Sequence, residues 1–599
     1  VFARYRSFRA IACVAALVSL ACASSAVQIT KQLADGVSLY QEINSTPGSE
    51  LVVNSVTVDP KVEGVAIKAA LSRDVVYTGD VFKGTETIGS LVGRRGACVG
   101  INCDFFPIGT DAAGDPLGVC VIDGELVSEP SAHHAVMAML KDGTFAFDNP
   151  TWSASLTLPN GISRQIDGVN RFRDTNQVIA YTSIFDSATR SKFKGTEVVC
   201  TSDDLPVECG KVINLIVTEV RVDAVNTPIP KGGMVLSAGG PAASFLSANL
   251  KPGDKLTVRF DIKSAANVDW TQVQQAVGGR PWVLKGGKEY VDLEYEKIGS
   301  SSFSTTAHPR TALGITADGK LMLVTVDGRQ PGLSRGISLT NLSALMKRLG
   351  AVDAINLDGG GSTTMSFRGG IINSPSGGIQ RSVANGLLVF ANPVAADEVP
   401  KLTISAPADG LPAGQPTSLS LVCGDDSRPL AQDQMVKVVW SSSNGMGFIN
   451  QQGCIAPVRV RHGSIMASYG GQQVTCDVKV IAGPPSELDV KITPDKQDPS
   501  LSTAVIELVD KCSNPCVGKP VTLVVTGGKA DTESGVFNDA GKFTANITWD
   551  RGATTRSVKA TSGDLTATCA APAASTAPAA ATTGTATAPD TTPPADTSK

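Results

Sequence analysis

Between residues 308 and 390 the spacing of apolar positions changes several times, and each change predicts an element. Two short apolar runs, 313–316 and 321–326, flank Ala317-Asp318-Gly319-Lys320 and predict a β-hairpin. Leu339, Leu342, Leu345, Met346 and Leu349 then recur at helical spacing. Ser338 or Thr340 can cap that helix and Gly350 can end it. A third apolar run, 352–357, stops at Asp358-Gly359-Gly360-Gly361-Ser362. A helix between two strands usually crosses over to make them parallel neighbours. Asp327 and Asp358, each just past a strand end, are then expected at one edge of a sheet, roughly 5–10 Å apart.

Upstream, Leu51–Val58 and 64–71 read as strands, 88–93 as a short helix, and 97–102 as a strand that delivers Asn102, Asp104, Phe105 and Phe106. Residues 135–300 alternate over many short runs, among them 137–141, 179–182, 212–222 and 255–261, which predicts a β-rich region. His133 and His134 on a strand would point to opposite faces, which argues against a shared metal. Glu197 is a candidate acid or a surface glutamate flanking a strand. After residue 394 the composition changes. Residues 400–482 and 483–570 each show short strands, regular turns and a tryptophan (Trp440, Trp549), which predicts two all-β immunoglobulin-like sandwiches. Gly483-Pro484-Pro485-Ser486 is their expected boundary, since consecutive prolines cannot continue a ladder.

Composition narrows the class. The 599 residues include 60 glycines and 34 prolines, 18% are charged and the net charge is −4, so nucleic-acid binding has no support. Residues 1–26 read as a signal peptide: Arg4, Arg6 and Arg9 precede a short apolar core and small residues, and Val1 reads as a bacterial start codon taken literally. Cys22 suggests a lipid anchor, although Ser19 stands where a lipobox wants Leu. No other stretch is apolar enough to span a bilayer as a helix. The tail 571–599 is rich in Ala, Thr, Pro and Ser and is expected to be disordered, reaching toward a cell wall. Of thirteen cysteines, eleven lie beyond the leader. Export makes disulfides plausible; Cys200 with Cys209 and Cys423 with Cys476 are the expected pairs, although spacing cannot fix connectivity.

The candidate chemistry concentrates in four motifs: HPRTALG (308–314), VDGRQ (326–330), NLDGGGSTTM (356–365) and NSPSGGIQRSVANG (373–386). Three arginines, Arg310, Arg329 and Arg381, suit an anion by bidentate, charge-assisted bonds. Asp358 and Asp327 are candidate catalytic carboxylates, at a separation that glycosidase pairs use. A turn of three glycines lets a ligand approach the main chain, and Gly360, Ser362 and Thr363 with Asn356, Asn373 and Asn385 offer groups for phosphate or sugar oxygens. No Gly-Lys-Ser/Thr follows, so this is not a nucleotide phosphate loop. Asn102 and Asp104 are further ligand candidates, and His308 a candidate acid or phosphate donor. Each has an ordinary alternative as a turn or cap residue. A Ca or Mg ion on Asp327 or Asp358 would turn a base into a ligand, and the metal stays open.

These four motifs, in order and spacing, resemble the phosphodiester glycosidase family, and INCDFFPIGTDAAGDPLG (101–118) resembles that family's N-G-x-F-F element, with Cys103 in place of the glycine. The resemblance covers roughly residues 27–393, within an expected catalytic domain of 27–395. It implies an α+β catalytic domain with mixed sheets ahead of the two sandwiches, acting on a sugar phosphodiester in an extracellular or cell-envelope glycan. Two other readings remain: a phosphodiesterase cutting the P–O bond on the far side of the phosphate, and a non-catalytic cell-wall-binding protein.

Overall fold

The computed structural model describes residues 26–571 apart from 132, 300, 395–400 and 425–427. The expected leader up to residue 25, including Cys22, and the expected tail from residue 572 lie outside the described residues. Strands dominate, and the helices are few and short. The expected α+β class is therefore corrected to mostly β.

One eight-stranded sheet carries most of the motifs. Its order is Val27–Ala34, Val37–Asn44, Leu51–Val58, Leu321–Val326, Arg310–Thr316, Ala351–Asn356, Trp282–Lys285, Lys288–Glu289. Every neighbouring pair is antiparallel. The predicted hairpin places Arg310–Thr316 against Leu321–Val326, with Arg310 opposite Val326. Ala351–Asn356 pairs with the other side of Arg310–Thr316. The strands that precede Asp327 and Asp358 thus run parallel but are not neighbours, which corrects the expected adjacency. The hairpin, closing locally, takes the central place and the helix crosses over it. Both aspartates still leave the sheet at the edge where Arg310 enters it.

The central strands are buried on both faces, which is why they read as continuous apolar runs. One face is covered by helix Leu339–Arg348, whose N-cap Ser338 accepts from the Asn341 N–H. Leu339, Leu342, Leu345 and Met346 pack there on Val324, Ala312 and Ala354. The other face, through Leu323, Leu313 and Ile355, meets Ile101, Met365, Phe367, Leu387 and Val389 of a nine-stranded sheet. A second eight-stranded sheet over residues 151–263 packs helix Gly240–Asn249 and has one parallel pair, Gly168–Val169 with Val178–Tyr181.

The nine-stranded sheet continues into the region expected to start a separate sandwich. Strand Gly370–Ile371 pairs with Val439–Ser442, Ile371 opposite Ser442, and Arg461–Tyr469 and Gln472–Ile481 extend the ladder. Residues up to Pro484 cluster as one compact unit and residues from Pro485 on form another, with 510–514 counted in the first. The second unit has two four-stranded sheets around Ala504, Ile506, Leu523, Ile547 and Trp549.

The expected cysteine pairs are not formed. Cys200 and Cys209 are separate buried thiols within the apolar cluster of the second sheet, where burial pushes both up to about 12. They act there as small hydrophobes. Cys423 and Cys476 are likewise unjoined.

Candidate active site

The edge of the site sheet meets the end of strand Val99–Asn102. Asp358 donates its backbone N–H to the Cys103 carbonyl at 2.9 Å, and Asn102 Nδ2 donates to the Asp358 carbonyl at 2.6 Å. Asn102 Oδ1 accepts from Thr311 Oγ1 at 2.9 Å and from the Thr364 N–H at 3.1 Å. The Asn102 amide is therefore spent on fixing the turn that presents Asp358. The glycines that follow answer to crowding. A Cβ at Gly359 would fall 2.6 Å from the Pro309 carbonyl oxygen, and one at Gly361 2.5 Å from Arg381 Nη2. Gly360 has φ +62°, a left-handed conformation that favours glycine.

Asp358 is 8% exposed, and its Oδ2 has no hydrogen-bond partner. Burial pushes its carboxyl up to about 6, against the opposing pull of the Ser362 hydroxyl and the Arg381 charge. Arg381 Nη1 donates to Ser362 Oγ at 3.2 Å. Arg329 lies on the other side of the turn: a Cβ at Gly360 would sit 3.1 Å from its Nη1, and its Nη2 is 3.3 Å from His308 Nδ1. Arg329 holds φ at +59°, strained for a branched-free but bulky side chain, which is a common mark of a functional position. Among the described residues neither guanidinium forms a salt bridge, so two cations flank one glycine turn beside a buried acid. The His308 imidazole is held below its usual range by burial and then by Arg329 and Arg310.

The other predicted residues are placed around this centre with most of their polar groups committed, Asn356 Oδ1 and Asn385 Nδ2 excepted. Asp327 is fully buried; its Oδ1 accepts from Asn373 Nδ2 at 2.8 Å and its Oδ2 from the Ser374 N–H at 2.9 Å. Burial pushes it up to about 7. Asn373 Oδ1 accepts from the Met365 N–H, and its Nδ2 also reaches the Thr363 carbonyl. Arg310 is 2% exposed; Nε donates to the Ile337 carbonyl at 3.2 Å, and Nη2 to those of Phe303 at 2.6 Å and Thr306 at 3.3 Å. Its guanidinium also lies over the Phe303 ring. Arg310 is thus a main-chain tie. Thr363 Oγ1 meets Thr311 Oγ1 at 3.4 Å. Asn385 Oδ1 accepts from the Asp104 N–H. Asn356 Nδ2 donates to the Arg280 and Leu357 carbonyls, and its buried Oδ1 has no partner.

Asp104 is the second carboxylate near Asp358. It accepts from the N–H groups of Phe105 and Gly118, both at 2.7 Å. Burial pushes it up to about 7, with the Asp358 charge adding and Arg280 opposing. Arg280 was not foreseen. Its Nη1 lies 3.1 Å from His134 Nε2, its guanidinium sits 5.0 Å above Phe105, and its charge acts on both Asp104 and Asp358. The signal was Gly278-Gly279 before Arg280-Pro281: a Cβ at Gly278 would collide with the Asp104 carboxylate, and one at Gly279 would lie 2.6 Å from the Asn356 carbonyl oxygen. His134, kept down to about 4 by burial, then Arg280 and His133, is part of this group. Glu197 lies elsewhere and is not on the surface. It is fully buried, bonded to Thr189, Ser191 and Ser237 hydroxyls and the Thr227 N–H.

A Ca or Mg ion does not fit these carboxylates. Both Asp327 oxygens already face N–H donors, and Asp358 stands between guanidinium groups rather than oxygen ligands.

Residues 210–390 match the model of the phosphodiester glycosidase family. This segment carries the signature of that family. The chain aligns with N-acetylglucosamine-1-phosphodiester alpha-N-acetylglucosaminidase of Mus musculus, 33% identical over 110 residues, 17% of this chain and 21% of the mouse protein. It also aligns with the SPbeta prophage-derived uncharacterized protein YomE of Bacillus subtilis, 42% identical over 82 residues, 14% of this chain and 13% of YomE. The chain thus spans about a fifth or less of the length of these relatives. A hypothetical protein from Synechocystis has the same fold over 62% of this chain and 64% of its own, with a TM-score of 0.50 and 21% identity. The site extends upstream of the segment that matches the family model: Asn102, Asp104 and His134 all precede residue 210.

Proposed function

We propose that this protein hydrolyses the glycosidic bond of a sugar-1-phosphodiester. The observation that carries the reading is the unpartnered Asp358 Oδ2 beside Arg381 and Arg329, two guanidinium groups free of salt bridges across the glycine turn. Arg329 and Arg381 bind the phosphate, with Ser362 orienting it and His308 holding Arg329. The anomeric carbon then faces Asp358. The leaving group is a phosphate monoester, already stabilised by the two cations as its charge grows, so strong general-acid help is not needed. Ionised Asp358 activates water or stabilises an oxocarbenium-like transition state. Arg280 favours that ionised form through its charge. Asp327, Arg310, Asn102 and Asn373 position the turn and do not touch substrate.

The substrate belongs to an extracellular or cell-envelope glycan, and the protein is exported; the leader-like first 26 residues support this reading. The module after Pro484 is an immunoglobulin-like spacer or adhesion element. The test is hydrolysis of a panel of sugar-1-phosphodiesters by the full chain and by Asp358→Asn in oxygen-18 water. Free sugar carrying the label, released by the wild type alone, is expected. Label in the phosphate would mean P–O cleavage, and retained binding to cell-wall material without turnover would mean a binding protein.

A further inference from the structure

The loop that delivers Arg381 is held from two sides, and one side belongs to the region expected as an independent module. Toward the site, Ser374 Oγ donates to Gln330 Oε1, Gln330 Nε2 donates to the Ser374 carbonyl, and Ser376 Oγ reaches the Gly360 carbonyl. On the far side, Asn444 Oδ1 accepts from the Gln380 N–H at 2.7 Å, and Arg459 Nη2 donates to the Gly377 carbonyl at 2.8 Å. Gly378, at φ +74°, lies under the Arg459 guanidinium: a Cβ there would be 2.8 Å from Nε. The Gln380 side chain adds a third anchor, its Oε1 accepting the Gly89 N–H at the start of helix Ile88–Arg95.

The seam is continuous with this support. Gly370 lacks a Cβ where Ser441 Oγ packs against it, and one residue on, Ile371 pairs with Ser442. The Gln451 N–H donates to buried Gln41 Oε1 at 3.0 Å, and Ile43, Val52 and Leu333 share a cluster with Phe448 and Ala456. Such a joint is part of the fold and not a tether.

Resting on the phosphodiester-binding anion clamp proposed above, we propose that Asn444 and Arg459 are positioning residues of that clamp: the region 401–482 completes the active site by fixing the main chain at residues 377–380, and through it Arg381. Asn444 holds Gln380, one residue before Arg381, and supplies an acceptor to its main-chain N–H, which has no strand partner.

The test uses the full chain with Asn444→Ala, Asn444→Asp and Arg459→Ala. Amide exchange over residues 376–383 is followed by mass spectrometry beside kcat and KM on a sugar-1-phosphodiester. Asn444→Ala is expected to speed exchange in that segment about tenfold and raise KM about tenfold, the effect of one lost hydrogen bond, with kcat within about twofold. Asn444→Asp keeps the acceptor and is expected to restore both. Arg459, on the surface, can be changed without endangering the fold and is expected to act in the same direction. Unchanged exchange in both alanine variants, or an Asn444→Asp variant as loose as Asn444→Ala, overturns the proposal. If the wild type turns over no substrate, the functional reading fails while exchange still decides this one.

Discussion

Replacing Asp358 by asparagine should make the protein more stable at neutral pH while it loses activity. The carboxyl has a folded-state pKa of about 6 against a usual 3.8, because burial disfavours its charge. The folded state therefore holds its proton more tightly than the open chain. The contribution of this group to stability is fully present below about pH 4 and is lost as pH rises through about 6. A shift of about two units corresponds to about 3 kcal/mol at pH 8. Asparagine removes the penalty and keeps the main-chain bonds to Cys103 and Asn102, which do not involve the side chain. It also removes the charge that raises Asp104. Urea unfolding of wild type and Asp358→Asn, read on the larger unit at pH 8 and pH 4, measures the effect. The variant should lead by about 2–3 kcal/mol at pH 8 and by much less at pH 4. A variant less stable than wild type at pH 8, or a lead that does not shrink at pH 4, refutes the assignment of a buried, charge-strained carboxylate. Turnover should fall at least about a hundredfold.

If the ionised form of Asp358 does the chemistry, kcat of the wild type should fall about tenfold per pH unit below about 6, opposite in sign to the stability trend; a flat profile between pH 4 and 7 would place the chemistry on another group. Arg329→Ala and Arg381→Ala should each raise KM about ten- to a hundredfold, with lysine restoring only part because it cannot bind bidentately, whereas Arg310→Ala should cost about 2–4 kcal/mol of stability and leave KM of the folded fraction near wild type; steady-state kinetics beside thermal unfolding separate the two. Cys200 and Cys209 should both alkylate after unfolding without reductant and resist alkylation before it, as peptide mass mapping would read.

The hairpin, the capped helix and the strand ending at Asn356 were legible because each is set by local spacing and turn chemistry. So was the common edge that gathers Asp327 and Asp358, since hairpin plus crossover fixes direction even when the neighbour order is mistaken. The roles of the arginines were not legible. Arg310 and Arg381 look alike in sequence, yet one meets three main-chain carbonyls and the other a hydroxyl, a difference made by tertiary neighbours. Arg280 enters from the bend between two other strands, some eighty residues before Asp358, with only a glycine pair to mark it. The joint at Gly370–Ile371 was hidden because a two-residue strand has no measurable period.

Strand ends explain why so few of the conspicuous polar residues remain available to a ligand. Where a ladder stops, main-chain N–H and C=O groups lose their partners, and inside a protein they must find others. Asn102, Asn373, Asp327 and Arg310 meet that demand at this edge. Among the groups they leave with spare hydrogen-bonding capacity are Asp358 Oδ2, Asn356 Oδ1, Asn385 Nδ2, Thr364 Oγ1 and the two guanidinium groups beside the glycine turn. A sheet that did not spend its asparagines on its own backbone would have no fixed place for Asp358, and an anion clamp with no fixed acid beside it would bind a phosphodiester without cutting it.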